Sequence, residues 1–170
     1  PATVDVRIAM AFPDLYDLGL SNIGMMILYR VLNELPGVWC ERVYAPAMDM
    51  EAELRARGIP LFTLESTTPL RQFDCVGFTL QYELCYTNIV NMMDMAGIPL
   101  LSAERGDADP IVVAGGPCAF SPEPIADLLD AVIIGDGEDA VIALAHAIRA
   151  GKGLPRQERL DLLEAVPGIY

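Results

Sequence analysis

Histidine is almost missing from this 170-residue chain: His146 is the single copy, beside four cysteines and 24 acidic residues. A Cys–His catalytic pair would have to use His146, which lies in the helical stretch 143–148 with nothing to place it beside a cysteine. The cysteines Cys40, Cys75, Cys85 and Cys118 form no Cys-x-x-Cys pair, so a zinc ribbon or dithiol redox motif has no support. Cys40, Cys75 and Cys85 read as small core hydrophobes, while Cys118, placed after a Gly-Gly-Pro turn, stays open. Basic residues are scarce too. Eleven Lys and Arg against 24 Asp and Glu give a net charge of −13, the wrong sign for phosphate backbones, so no nucleic-acid partner is expected.

Long apolar runs are absent as well. No uninterrupted stretch approaches the roughly 18 residues of a membrane span, and no basic segment precedes an apolar one, so neither a membrane anchor nor a signal peptide is expected. A cytoplasmic setting is the default. There is no Gly-Lys-Ser/Thr phosphate loop, no Gly-x-Gly-x-x-Gly fingerprint, no internal repeat and no low-complexity tract. Pro rather than Met at position 1 suggests a piece of something longer.

What is present is a regular alternation. Apolar segments at 4–12, 38–44, 74–80, 111–114 and 131–134 predict strands, and periodic segments at 23–35, 49–57, 84–96 and 139–150 predict helices between them. Ser21 or Asn22 is placed to cap the first helix, with Pro36-Gly37 stopping it; Gly58 and Gly97 are placed to end two others. A short extended piece at 59–64 is a candidate extra edge strand, 124–129 a brief helix, and 157–165 a last short helix. The pattern predicts an α/β fold: a flavodoxin-like, Rossmann-like, doubly wound parallel sheet of five strands in the order 2-1-3-4-5. Residues 1–151 are expected to form the α/β domain and 152–170 a linker with a short helix.

Right-handed crossovers put every strand-to-helix turn on one edge of such a sheet, where open α/β folds bind ligands. Four turns carry the candidates. In Pro13–Gly24, Asp14 and Asp17 can fix a ligand's polar groups and Gly19 allows close backbone approach; equally, Asp14 can be a turn residue and Gly19 a packing position. Thr79, Gln81, Tyr82 and Glu83 bring a hydroxyl, an amide, a phenol and a carboxylate to the end of the third strand, although Thr79 is also ordinary β-branched strand filler. Gly115, Gly116 and Pro117 remove side chains where the fourth strand meets the edge, a sign of close approach by a ligand or another backbone. Gly135 and Gly137, in Gly-Asp-Gly-Glu, precede the last long helix; the acidic residues there suit the helix dipole and repel a bare phosphate.

These motifs carry a resemblance. Asp14-x-Tyr16-x-x-Gly19, Thr79-x-Gln81 and Gly115-Gly116 resemble, in order, the Asp-x-His-x-x-Gly, Ser-x-Leu and Gly-Gly motifs of cobalamin-binding domains, with a longer gap between the first two. Phe12-Pro13-Asp14, Glu41-Arg42-Val43, the run Gly77–Glu83, Gly115-Gly116-Pro117, Pro122-Glu123-Pro124 and Gly135-Asp136-Gly137-Glu138 look closer still to uncharacterised radical SAM proteins. Those carry a cobalamin-binding-like domain ahead of the radical SAM barrel. The resemblance implies a corrinoid crevice built from Asp14, Tyr16, Asp17, Gly19, Thr79, Gln81, Tyr82, Glu83, Gly115, Gly116, Pro117, Gly135 and Gly137. It implies no catalytic or metal-ligating residue within this chain. Tyr16 stands where the family pattern has the cobalt-ligating histidine, so any cobalamin is expected to bind weakly or not at all, and without imidazole ligation.

The Cys-x-x-x-Cys-x-x-Cys triplet that holds a [4Fe-4S] cluster is absent. S-adenosylmethionine and the cluster are therefore expected only in a C-terminal radical SAM domain, the implied partner. Surface reserved for that partner is expected to include Met92, Met93 and Met95. Two other readings stay open: a non-catalytic interaction domain that has lost the cofactor, and an FMN or nucleotide binder using the same crevice.

Overall fold

The computed structural model describes residues 4–170. Five parallel strands, β1 (Val6–Phe12), β2 (Val38–Tyr44), β3 (Cys75–Thr79), β4 (Ile111–Gly115) and β5 (Ala131–Ile133), form one sheet in the order β2-β1-β3-β4-β5. This is the flavodoxin-like order read from the sequence. The register sets Ile8 between Cys40 and Cys75, and Thr79 beside Gly115, so the strand ends fall level along one edge. These strands are almost wholly apolar because helices cover both faces.

Alternation sorts the strand side chains into two cores. Ala9, Ala11, Val76, Phe78, Val112 and Ala114 face α3 (Met48–Arg57) and α4 (Tyr86–Ala96). Ile8, Met10, Cys40, Cys75, Ile111 and Val113 face α2 (Ile23–Glu34), α5 (Gly137–Ala150) and α6 (Arg156–Glu164). A single turn, α1 (Tyr16–Gly19), precedes α2. Asn22 caps α2, its Oδ1 accepting from the Met25 N–H at 2.9 Å. Gly58 and Gly97 close α3 and α4 in the left-handed conformation. Cys40, Cys75 and Cys85 are buried, and burial pushes the Cys40 and Cys75 thiols far above their ordinary range.

Three expectations need correction or adjustment. Met92, Met93 and Met95 are not surface: all three are buried in the α4 core. With Ile89 and Ala96 they make an inward stripe at helical spacing, so they cannot serve a partner. The 59–64 piece is not an edge strand. It makes one antiparallel bridge, Phe62 to Pro69, and belongs to a strap running over the outer edge of β2. There Leu64 N–H donates to Arg42 O, while Arg42 N–H and Nε donate to the Glu65 carboxylate, each at 2.8 Å. The strap therefore satisfies edge groups of β2 that would otherwise invite pairing. The 124–129 piece is a 3₁₀ segment, Glu123–Leu128, rather than an α-helix.

Residues 152–170 pack on the domain. Leu163 of α6 is buried in the α2–α5 core, and Tyr170 exchanges both backbone hydrogen bonds with Val132, running antiparallel to β5. Among the described residues no helix is long and apolar enough to cross a membrane.

Candidate functional site

A cavity of about 360 Å³ opens at the carboxyl edge of the sheet, between β1, β3, β4 and β5 on one side and α2 and α5 on the other. It exists because that face of the sheet lacks side chains where it needs them. Gly77 and Gly115 both point to this face, and a Cβ on either would meet its neighbour strand at 3.6 and 3.4 Å, within van der Waals contact. Neither glycine has a positive φ and a Cβ would fit at either, so neither conformation nor local crowding demands them; their missing side chains leave the cavity its space.

The walls are apolar: Ile8, Met10 and Val113 from the sheet, Met25 and Leu32 from α2, and Leu144 from α5. The helices come close together because Gly137 lets α5 meet Leu28, where a Cβ would stand only 3.2 Å from that side chain. At the mouth stand Asn22, Gln81 and Glu138. Thr79 is the exception to the apolar lining. Its Oγ1 is fully buried and has no hydrogen-bond partner. Among the described residues the other buried side-chain atoms without hydrogen bonds belong to Arg105, Arg149 and Arg156, and each of those guanidinium groups lies within ion-pair range of an aspartate. An unpaired buried hydroxyl costs about 1–3 kcal/mol, which a ligand group could recover.

Of the residues singled out from the sequence, Thr79, Gln81, Gly115, Gly116, Pro117, Gly135 and Gly137 line this cavity. Gly116 is glycine for two reasons: its φ is +120°, and a Cβ would lie 3.0 Å from the Leu80 carbonyl oxygen. Asp14, Tyr16, Asp17, Gly19, Tyr82 and Glu83 lie outside the lining, in the turns after β1 and β3 on the same edge. Asp14 and Tyr82 join the two turns, the phenol donating to the Asp14 carboxylate. That bond, then burial, raises the phenol's pKa. Asn88 of α4 adds a second tie, donating to Pro13 O at 2.9 Å.

Tyr16 does not stand free. Its ring packs edge-on against Tyr44 with centroids 5.2 Å apart and planes at 78°. Gly19 lies under the same tyrosine: a Cβ there would be 2.5 Å from Tyr44 Cε1 and 2.6 Å from Phe12 Cδ1. Of the two readings of Gly19, the packing one describes its surroundings. Gly19→Ala is expected to lose on the order of 1–3 kcal/mol in urea unfolding, and a neutral result would mean that Tyr44 swings away freely.

Sequence reasoning misses Gly77 and the apolar walls. Gly77 carries a usable signal, a glycine inside an otherwise apolar strand, the same one that draws attention to Gly115. The walls carry none, since a core residue and a cavity-lining residue look alike in sequence.

The carboxyl edge is also apolar outside the cavity. Leu18, Leu20, Ile23 and Met26 are exposed along α1 and α2, with Ile23 73% accessible, and Leu84 and Phe120 are exposed beyond β3 and β4. Monomers rarely leave so many large apolar side chains on one rim uncovered.

Residues 24–170 match the family described as radical SAM proteins, N-terminal. An uncharacterised protein of Methanocaldococcus jannaschii is 28% identical over 139 residues, which are 81% of this chain and 26% of that protein. The chain thus spans about a quarter of the length of that relative.

Proposed function

The chain belongs to the N-terminal family of radical SAM proteins, and from that premise we propose that it is an accessory domain whose carboxyl-edge cavity holds part of a corrinoid. The observation that carries this reading is the orphaned Thr79 hydroxyl in an otherwise apolar slot, at the place where open α/β sheets take ligands. A corrinoid would bring cobalt-centred alkyl-transfer chemistry to a radical SAM protein.

The residues of this chain divide the work. Thr79 supplies one hydrogen bond inside the slot. Gly77 and Gly115 keep the space open, and the Asp14–Tyr82 bond holds the β1 and β3 turns together as a rim. Tyr16, packed on Tyr44, offers no imidazole, and His146 is exposed on α5. The apolar rim favours a second wall: a C-terminal radical SAM domain of the parent protein, which would hold the [4Fe-4S] cluster and S-adenosylmethionine and close over this edge.

Titration with hydroxocobalamin, followed by absorbance, tests the reading. This chain alone is expected to bind weakly, with a dissociation constant on the order of 10⁻⁴ M, and without the spectrum of imidazole ligation. The longer parent is expected to bind at least about tenfold tighter. Gly77→Val should abolish the response by filling the slot, while raising stability by about 1 kcal/mol through lost glycine freedom and added apolar burial. A parent protein indifferent to cobalamin would overturn the reading; flavin uptake instead would favour the FMN alternative.

A further inference from the structure

The carboxyl edge of the sheet carries charge of one sign. Asp14 and Asp17 stand after β1, Asp49 after β2, Glu83 after β3 and Asp136 after β5. The segments 13–26, 45–50, 80–86, 116–124 and 134–139, which follow the five strands, hold no Lys, Arg or His. Among the described residues none of those five carboxylates belongs to an ion pair. The cations are committed elsewhere. Arg30 and Arg42 pair with Glu34 and Glu65, while Arg71, Arg105, Lys152 and Arg156 make their ion pairs toward the amino edge. Helix dipoles welcome acid at Asp49 and Asp136. They do not explain why Ile23, Met48, Leu84 and Phe120 stand among those acids between 71% and 89% accessible.

A rim both apolar and anionic selects what can cover it. An acidic lipid surface or a nucleic acid would be repelled, and so would the same rim of a second copy, because unpaired like charges would meet across the contact. The chain spans about a quarter of the length of its relative in Methanocaldococcus jannaschii, which leaves most of such a parent outside it. We propose that the rim is the docking face for a basic, apolar-bearing surface of the C-terminal domain of the parent, and that opposite charge brings the two together with no corrinoid between them. The proposal rests on the reading above for the identity of the partner domain and takes nothing from the ligand. Ile23, Met48, Leu84 and Phe120 supply the buried centre of the contact, and the carboxylates around them meet Lys and Arg of the partner and fix its register.

The test is amide hydrogen exchange, read by mass spectrometry over residues 16–28, in the cobalamin-free parent and in the 170-residue chain at matched salt. In the parent these amides are expected to exchange at least about tenfold more slowly. Raising NaCl from about 0.1 M to about 1 M shortens the reach of exposed charges from about 10 Å to about 3 Å. That change should remove most of the protection, whereas a purely apolar contact would keep it. Asp17, Glu83 and Asp136 make no side-chain hydrogen bond among the described residues, so the triple variant Asp17→Lys, Glu83→Lys, Asp136→Lys should fold and lose the protection at low salt. The same change of net charge made on exposed amino-edge residues, as Glu104→Lys, Asp127→Lys and Glu158→Lys, should leave the protection in place. A rim that exchanges equally fast in both proteins overturns the proposal, and so does protection that ignores both salt and the rim triple. Protection that appears only on adding hydroxocobalamin overturns it too, while leaving the corrinoid reading intact. Salt-sensitive protection in a parent indifferent to cobalamin supports the docking face and removes the corrinoid reading.

Discussion

Asp130→Ala is expected to lose about 3–5 kcal/mol of stability, because it would strand two arginines that, among the described residues, make their ion pairs with this carboxylate alone. Asp130 lies at the start of β5, at the amino edge opposite the cavity, and its side chain is fully buried. One carboxylate oxygen forms an ion pair with Arg105 Nη1 at 2.8 Å and accepts from the Ser102 hydroxyl. The other forms an ion pair with Arg156 Nη2 at 2.6 Å and accepts from the Val112 N–H at 2.7 Å. Arg105 is just as buried, and although it also donates to the carbonyls of Pro99, Leu100 and Leu128, burial still pushes its guanidinium pKa down. Removing the carboxylate would leave that charge uncompensated.

For a domain of this size the loss corresponds to a fall in Tm on the order of 10 °C, measurable by calorimetry. Arg156 opens α6, so the same change should loosen the last helix and speed amide exchange there first. Replacing all three residues together, as Arg105→Met, Asp130→Leu and Arg156→Met, should recover most of the loss, since apolar substitutes no longer need a counter-charge. A single Asp130→Ala variant as stable as the parent would show that the arginines escape to solvent.

The sheet is legible in the sequence because buried parallel strands are short apolar runs bounded by turn residues, and nothing else in this chain has that form. The ends of β2 are marked to the residue by Pro36-Gly37 and Ala45-Pro46. The edge that carries the site follows from topology alone, which is why the sequence already sets Thr79 and Gly115 on neighbouring strand ends. Side-chain orientation is much less legible. The sequence reading puts Met92, Met93 and Met95 at the surface, although Ile89, Met92, Met93 and Ala96 repeat at helical spacing, a pattern that marks an inward stripe.

Long-range partners are invisible in the sequence. Nothing near Asp130 announces Arg105 or Arg156, and the motif that contains Tyr16 says nothing of its neighbour Tyr44, 28 residues away. The cavity is legible only as missing side chains. Gly115 gives one half of that signal, and Gly77 holds the other.

Glu41→Gln is expected to cost about 3 kcal/mol at neutral pH, and that cost should shrink as the solution is acidified. Glu41 is a fully buried carboxylate on β2 that pins the strap over the sheet edge. It accepts from Thr63 Oγ1 at 2.5 Å, Ser66 Oγ at 2.6 Å, Trp39 Nε1 at 2.7 Å, Arg7 Nη2 at 3.1 Å and the Ser66 N–H at 3.2 Å. Burial works to raise its pKa, but the hydrogen bonds from Ser66, Thr63, Trp39 and Arg7 together outweigh it and hold the carboxyl below its usual range. An amide of the same shape would turn its own N–H donors toward the surrounding donors.

A carboxyl whose folded pKa is depressed contributes stability that is fully present above its unfolded value, near 4.3, and lost as pH falls through the lower folded value. Above about pH 5 the stability gap between the unsubstituted protein and the Glu41→Gln variant should therefore be constant, and below about pH 4 it should close. Urea unfolding of both proteins from pH 3 to pH 7 measures this directly. With the strap loosened, the freed edge of β2 should also make the Glu41→Gln variant more prone to self-association than the Gly77→Val protein, whose edge is intact. A gap independent of pH down to pH 3 would mean that the Glu41 carboxyl titrates alike in the folded and unfolded chain, so that its charge adds nothing to holding the strap.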